Sequence, residues 1–266
     1  MNASYLTVAR IAAAAAADVL MSYRGHLTVR EKAPRDLVTQ ADVAAQKKIQ
    51  EIVIDAFPDH AFVGEEEGHD AVPVDLLKQT DHPPIWIVDP LDGTVNYVHQ
   101  LQSFAVSIAL YHAGRVQLGV VHDPICHEIY WAVDGEGAFL NDRPIRAAET
   151  QRLDQSLLAC SFSAGTKHDE LELARFAAVL DRSQSVRRLG SAALNMCYVA
   201  AGRLDGYWAT CVKPWDIAAG AVIVGEAGGD VRHLSGETFD VWRPQFAAAA
   251  TKPLNDQLLK CLSEVG

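Results

Sequence analysis

The sequence predicts a mixed α/β fold in two closely joined parts, and three observations carry that expectation. Up to about residue 145, helix-like stretches precede apolar segments separated by turn signals. Beyond it, strand-like and helix-like segments alternate, as they do in α/β proteins. The length of 266 residues suits one large unit or two fused ones, with ample chain to bury a core. The expected division is an α+β part over 1–145 and an α/β part over 146–266. No low-complexity linker or internal repeat separates them.

Alanine, the best helix former, dominates "TVARIAAAAAADVLMSYRG" and predicts a helix over 4–23 stopped at Gly25. The stretch lacks a clearly basic leader, and its apolar run falls short of the ~20 residues of a membrane span, so neither a signal peptide nor a membrane anchor is expected. A short extended piece and a loop lead to a second helix over 40–56. Thr39, with Asp42 three residues on, gives that helix a capping-box start. "HAFVGEEEG" reads as a strand running into acids, 68–84 as a surface loop, and Trp86-Ile87-Val88-Asp89 as a buried strand ending on an acid. From 104 to 142, turn signals (Ala-Gly, Asp-Pro, Asp-Gly) between apolar segments predict antiparallel hairpins. "SLLACSFS" then reads as a strand, "HDELELARFAAVLDR" as a helix and "SVRRLG" as a short strand. "SAALNMCYVAAG" is a helix ending at Gly202, "LDGYWAT" a strand, and "DIAAGAVIVGEAGG" a helix closed by a Gly-Gly stop, with Asp216 at its N-cap.

Charge narrows the partners. Lys and Arg number 23 against 34 Asp and Glu, a net charge of −11. Phosphate backbones are bound by neutralisation with Lys and Arg, so this balance argues against nucleic acid as a main partner. An anionic substrate would need borrowed positive charge, which a metal ion supplies. Cys126, Cys160, Cys197, Cys211 and Cys261 are scattered and form no C-x-x-C pair. That pattern fits reduced thiols in a cytoplasm better than a disulfide framework or a zinc site.

The acids carry the chemistry. "GEEEG" at 64–68 can be a solvated turn, but the buried strand before it delivers Glu65 or Glu66 to a sheet end. In "WIVDPLDGTVNYVH", Asp89 and Asp92 stand on one side of a tight turn. As a bland feature it is a strand followed by an Asp-capped turn. As a site it offers carboxylates next to the N–H groups around Asp92, Gly93 and Thr94, where an anion could sit if cations lay between. Asp216 can cap its helix and still ligate a metal with its remaining lone pairs. Glu65, Asp89, Asp92 and Asp216 are all oxygen donors, a set that selects Mg²⁺, Mn²⁺ or Ca²⁺ rather than zinc.

On these residues the chain resembles the inositol monophosphatase family, the lithium-sensitive, metal-dependent phosphomonoesterases. "GEEEG", "WIVDPLDGTVNYVH" and "WDIAAGAVIVGEAGG" anchor the resemblance in order and spacing, and it spans about residues 5–260. It implies a layered αβαβα sandwich, a homodimer in the cytoplasm, and hydrolysis of a small phosphorylated metabolite with two or three Mg²⁺ ions, Mn²⁺ being a possible substitute. The 1–145 part would then bind metal and the 146–266 part complete the active site. Glu65, Asp89 and the Leu91 carbonyl resemble the ligands of a first ion, and Asp89, Asp92 and Asp216 those of a second. Asp42, Glu65 and Thr94 would form the catalytic set, with Thr94 and Asp42 orienting the attacking water. Asp92, Gly93, Thr94, Gly190, Ser191, Ala192 and Asp216 would meet the substrate. Inositol-preferring members carry a Glu seven residues before the aspartate of "WD", where this chain has Ala209. Histidinol phosphate or a sugar (bis)phosphate therefore stands beside an inositol phosphate as the expected substrate, and the complete ligand set argues against a non-catalytic binding protein on this fold.

Overall fold

Along the strand Ile85–Asp92, Trp86 and Val88 pack into one hydrophobic cluster while Ile85 and Ile87 pack into another. That period-two alternation places a helical layer on each face of the sheet. The computed structural model describes residues 3–26, 29–33, 36–67, 82–162 and 170–265. The first layer holds α1 (Ala3–Tyr23) and α2 (Gln40–Ala56), joined through the antiparallel hairpin β1 (Val29–Ala33) and β2 (Asp36–Thr39). Ala9, Ala12, Ala13, Ala16, Ala17 and Leu20 form the buried stripe of α1 against α2 and the sheet. The expected helix is thus confirmed, but at 21 residues it is long and apolar enough by length and composition to cross a membrane, contrary to the reading above. Its small-residue stripe permits the close helix packing observed.

The second layer is a seven-stranded sheet in the spatial order of the chain: β3 (Ala61–Gly64), β4 (Ile85–Asp92), β5 (Ala105–His112), β6 (Arg115–Asp123), β7 (Glu128–Val133), β8 (Gly137–Leu140) and β9 (Arg143–Ile145). β3 and β4 pair in parallel; the remaining pairs are antiparallel, as the turn signals required. The short helix α3 (Thr94–Val98) follows β4 directly.

The other three layers come from the second half. Its strands are β10 (Leu157–Ser161), β11 (Ser185–Arg187), β12 (Gly206–Ala209), β13 (Asp230–His233) and β14 (Phe246–Ala249), ordered β11-β10-β12-β14-β13. The helices are α4 (Leu171–Leu180), α5 (Ala192–Ala200), α6 (Pro214–Glu226) and α7 (Lys252–Ser263). α5 and α6 lie between the two sheets, and α4 with α7 cover the outer face of the small one. The result is the αβαβα sandwich.

One expectation is overturned, one stretch gains elements, and two others lie partly outside the described residues. Lys213, not Asp216, is the N-cap of α6; Pro214 takes the first helical position, where its missing N–H costs nothing, and moves Asp216 to the third. The chain after residue 229 had no assigned elements, yet it supplies β13, β14 and α7, with β14 inserted antiparallel beside β12. Most of the expected 68–84 loop, and the first residues of "HDELELARFAAVLDR", lie outside the described residues.

Candidate active site

A strand alternates its side chains, so Asp89 and Asp92, three apart, would face opposite sides of the sheet. They do not. Asp89 pairs with Ser107 and Asp92 with Ala105, so three steps on β4 match two on β5. This one-residue bulge turns both acids the same way. Ser107 fixes the direction, because its buried hydroxyl donates to the Trp215 carbonyl of α6 at 3.1 Å, next to Asp216. The bulge is held by the Leu91 N–H, which donates to Asp89 Oδ1 at 2.9 Å.

Gly93 makes the turn into α3 with φ +95°, and a Cβ there would lie 2.9 Å from the Ser103 carbonyl. No other residue suits that position. The Thr94 hydroxyl stands 3.4 Å from Asp42 Oδ1 and donates to the Leu91 carbonyl at 3.1 Å. Asp42 Oδ2 accepts from the Thr39 hydroxyl at 2.6 Å and the Thr39 N–H at 2.9 Å, closing the capping box of α2. The expected Thr94–Asp42 pair is therefore assembled, and the Leu91 carbonyl already serves Thr94.

Asp92 reaches across to the small-sheet half. It accepts a short hydrogen bond from the Ser191 hydroxyl, and bonds from Ala192 N–H at 3.1 Å and Ala193 N–H at 2.8 Å. Gly190 allows this approach with φ +87°. Asn96 donates to the carbonyls of Ser103 (2.7 Å) and Leu189 (2.8 Å), clamping the Gly190 segment against the turn. Asp216 accepts from the Lys213 N–H at 2.8 Å. Glu65 opens a 3₁₀ turn that follows β3, and Gln46 Oε1 fixes that turn by accepting from the Glu66 N–H at 2.9 Å. Asn96 and Gln46 were missed by sequence reasoning. Asn96 lies inside the strongest motif, but nothing in its spacing names its partners.

Burial and mutual repulsion dominate the electrostatics. Asp89 is held well above the ordinary carboxylate range by burial, then by the charges of Glu65, Asp92 and Asp216. Burial pushes Asp92 up to about 6 while its Ser191 and backbone donors pull it down. Asp216 rises to about 8 through burial and the charge of Asp92. Asp42 is raised by burial against the opposing Thr39 bonds. Glu65 acts on all four. Among the described residues, no Lys or Arg forms an ion pair with Asp42, Asp89, Asp92 or Asp216. Nor do any three Asp, Glu, His or Cys side chains there close around an ion position by themselves. The donor set still fits hard divalent cations: it is all oxygen, and its acids raise one another's protonation for want of positive charge. A cavity of about 340 Å³ lies at the far end of β5, between Tyr111, Phe239 and the last turn of α6, and contains none of these acids.

Ala209, seven residues before Asp216, is fully buried at the end of β12 and packs in the core between the sheets. Its methyl offers no polar atom to a ligand.

Residues 1–266 match the inositol monophosphatase family. A "Nus factor SuhB" of Pasteurella multocida is 40% identical over 245 residues, covering 91% of this chain and 89% of that protein. An "inositol-1-monophosphatase" of Caulobacter vibrioides is 35% identical over 240 residues, covering 89% and 91%. Among solved structures, the extragenic suppressor protein suhB from Bartonella henselae superposes with a TM-score of 0.90 at 35% identity, over 98% of this chain and 99% of that one.

Proposed function

The chain belongs to the inositol monophosphatase family, and from that premise we propose that it is a Mg²⁺-dependent phosphomonoesterase acting on a small phosphorylated alcohol. The observation that carries this is the bulge at the end of β4, which aims Asp89 and Asp92 together toward Asp216, with the Thr94–Asp42 pair alongside. Glu65, Asp89, Asp92, Asp216 and the Leu91 carbonyl would hold two or three ions. When bound, such ions acidify a water and neutralise charge on the departing ester oxygen.

The chain's own residues do the rest. Thr94 Oγ1 accepts a proton of the attacking water and passes its own to Asp42 Oδ1, whose burial favours taking it. The new P–O bond forms as the ester P–O bond breaks, and the alkoxide takes a proton from solvent. The N–H groups of Gly93 and Thr94 face the phosphate, and the Gly190–Ser191–Ala192 segment the alcohol. The substrate is a phosphorylated alcohol of the inositol phosphate kind, a histidinol phosphate, or a sugar phosphate. A homodimer in the cytoplasm, with its five cysteines reduced, and sensitivity to lithium belong to the same reading.

A phosphate-release screen over inositol 1-phosphate, histidinol phosphate and fructose 1,6-bisphosphate, with Mg²⁺ and then with chelator, tests it. Release that is indifferent to chelator refutes the metal mechanism. The relative called a Nus factor supports a second reading, in which this chain also acts as such a factor, apart from hydrolysis. That role would survive Asp89→Asn, whereas hydrolysis would not.

A further inference from the structure

The acids occupy only one wall of the crevice. β10, β11 and β12 run parallel, so their C-terminal ends share one edge of the small sheet. That edge is where ligands of open α/β sheets gather. From it issue Phe162, the Arg188–Ser191 segment, and the Thr210–Lys213 segment that leads into Asp216. α4 begins at this edge, because its other end returns to the start of β11, where the Gln184 N–H meets the Ser156 carbonyl at 3.0 Å. In the first turn of α4 stands Glu172, and the Thr210 hydroxyl donates to its Oε1 at 2.8 Å.

Both residues are half-buried. Among the described residues, Thr210 is the one hydrogen-bond donor to Glu172, so Oε2 is left to accept elsewhere. Arg188 at this edge is committed: it lies over the Phe162 ring at 4.4 Å and donates to the Phe162 carbonyl at 2.9 Å. Ala209 contributes nothing polar to this wall. Among the described residues, Glu172 presents a half-buried carboxylate at this edge.

Resting on the phosphatase reading above, we propose that Glu172, oriented by Thr210, selects the alcohol half of the substrate by accepting a hydrogen bond from a hydroxyl or ammonium group remote from the ester. An ionised carboxylate only accepts, and it repels further anionic groups. The substrate class is then a monophosphate of a polyol or amino alcohol, and esters with a second phosphate are disfavoured. A purely structural role is the rival, since an acid in the first turn suits the helix dipole and the Thr210 bond ties α4 to β12.

Glu172→Gln and Thr210→Val separate the two. Each is assayed on inositol 1-phosphate, histidinol phosphate and fructose 1,6-bisphosphate, with p-nitrophenyl phosphate, whose alcohol carries no donor, as the reference. The ratio of kcat/KM for the preferred donor-bearing ester to that for the reference should fall about tenfold or more in Glu172→Gln, mostly through KM. Thr210→Val should move it the same way by less, and the bisphosphate should gain relative to the reference. Inositol 1-phosphate and histidinol phosphate distinguish a hydroxyl from an ammonium donor. Ratios within about twofold of wild type in both variants, or a melting loss with all esters declining together, overturn the proposal. If wild type hydrolyses the reference but both variants leave the ratios intact, only this inference fails. If wild type hydrolyses no ester at all, the phosphatase reading has failed and this one falls with it.

Discussion

Ser191→Ala tests how the two halves of the molecule are joined at the site. The Ser191 hydroxyl has two jobs. It is the N-cap of α5, accepting from the Leu194 N–H at 3.2 Å, and it donates to Asp92. Removing a serine cap costs about 1 kcal/mol. Losing a hydrogen bond to a charged group costs roughly 1.5–3 kcal/mol, and Ser191 is fully buried, so water does not readily replace it. The sum is about 2.5–4 kcal/mol. For a chain of this size that lowers the melting temperature by roughly 5–15 °C. The variant should also need more Mg²⁺ for half-maximal phosphate release, because Asp92 loses the group that orients it. Scanning calorimetry and a Mg²⁺ titration measure both, with Ser191→Thr as the control that keeps the hydroxyl. A melting shift under about 1 °C, with an unchanged Mg²⁺ requirement, would refute the dual role.

The other predictions follow from the same geometry. Asp89→Asn should cut turnover by about a hundredfold or more, since Asp89 is expected to serve two ions at once; near-normal turnover counts against the ligand assignment. Thr94→Ala should fold normally and lose about a hundredfold in kcat with KM little changed, and a kcat within twofold of wild type removes Thr94 from proton transfer. Asp92 and Asp216 titrate near 6 and 8 in the fold, above the ordinary carboxylate value of 3.8, so the folded state holds protons that the unfolded chain has released. In chelator, stability should therefore fall as pH rises from about 4 toward 8, and Mg²⁺ should flatten that fall by replacing the protons. A melting temperature that climbs over the same range in chelator contradicts the sign.

Much of the molecule was legible because local patterns and tertiary demands agree. The hairpins of the large sheet follow from turn residues, and α2 from the Thr39–Asp42 box that the structure closes. The chain past residue 229 was not legible. β14 is "FAAA", four residues with no alternation, and it is a strand only because β12 and β13 flank it. α7 carried a start signal that went unread, Thr251 followed by Lys252-Pro253, and the structure closes that cap with the Leu254 N–H donating to Thr251. The site acids were readable as types in a pattern, but their convergence was not. An unbroken strand would put Asp89 and Asp92 on opposite faces; the bulge that unites them is a property of pairing with β5. Glu172 illustrates the same limit, since its partner Thr210 is 38 residues away.

The fold also explains how so many acids are tolerated together before any cation arrives. Asp42 is the third residue of α2, Asp216 the third of α6, and Asp92 accepts the first free N–H groups of α5. Each carboxylate therefore sits at a helix N-terminus, where unpaired N–H groups and the aligned peptide dipoles present about half a positive charge. Three helices, α2 in the outer layer and α5 and α6 between the sheets, point their N-termini at one crevice. Such partial charges stabilise ionised oxygens without capping them as a lysine would, so lone pairs stay open to a ligand. A lysine or arginine in that crevice would satisfy the acids outright and compete with any metal. The displacement of Asp216 from the cap to the third position matters for the same reason. As an N-cap its oxygen would be spent inside the helix; at the third position one oxygen takes the Lys213 N–H and the other is free to face Asp89. What the site holds in place is a group of carboxylate oxygens set at helix N-termini, an arrangement suited to a divalent ion.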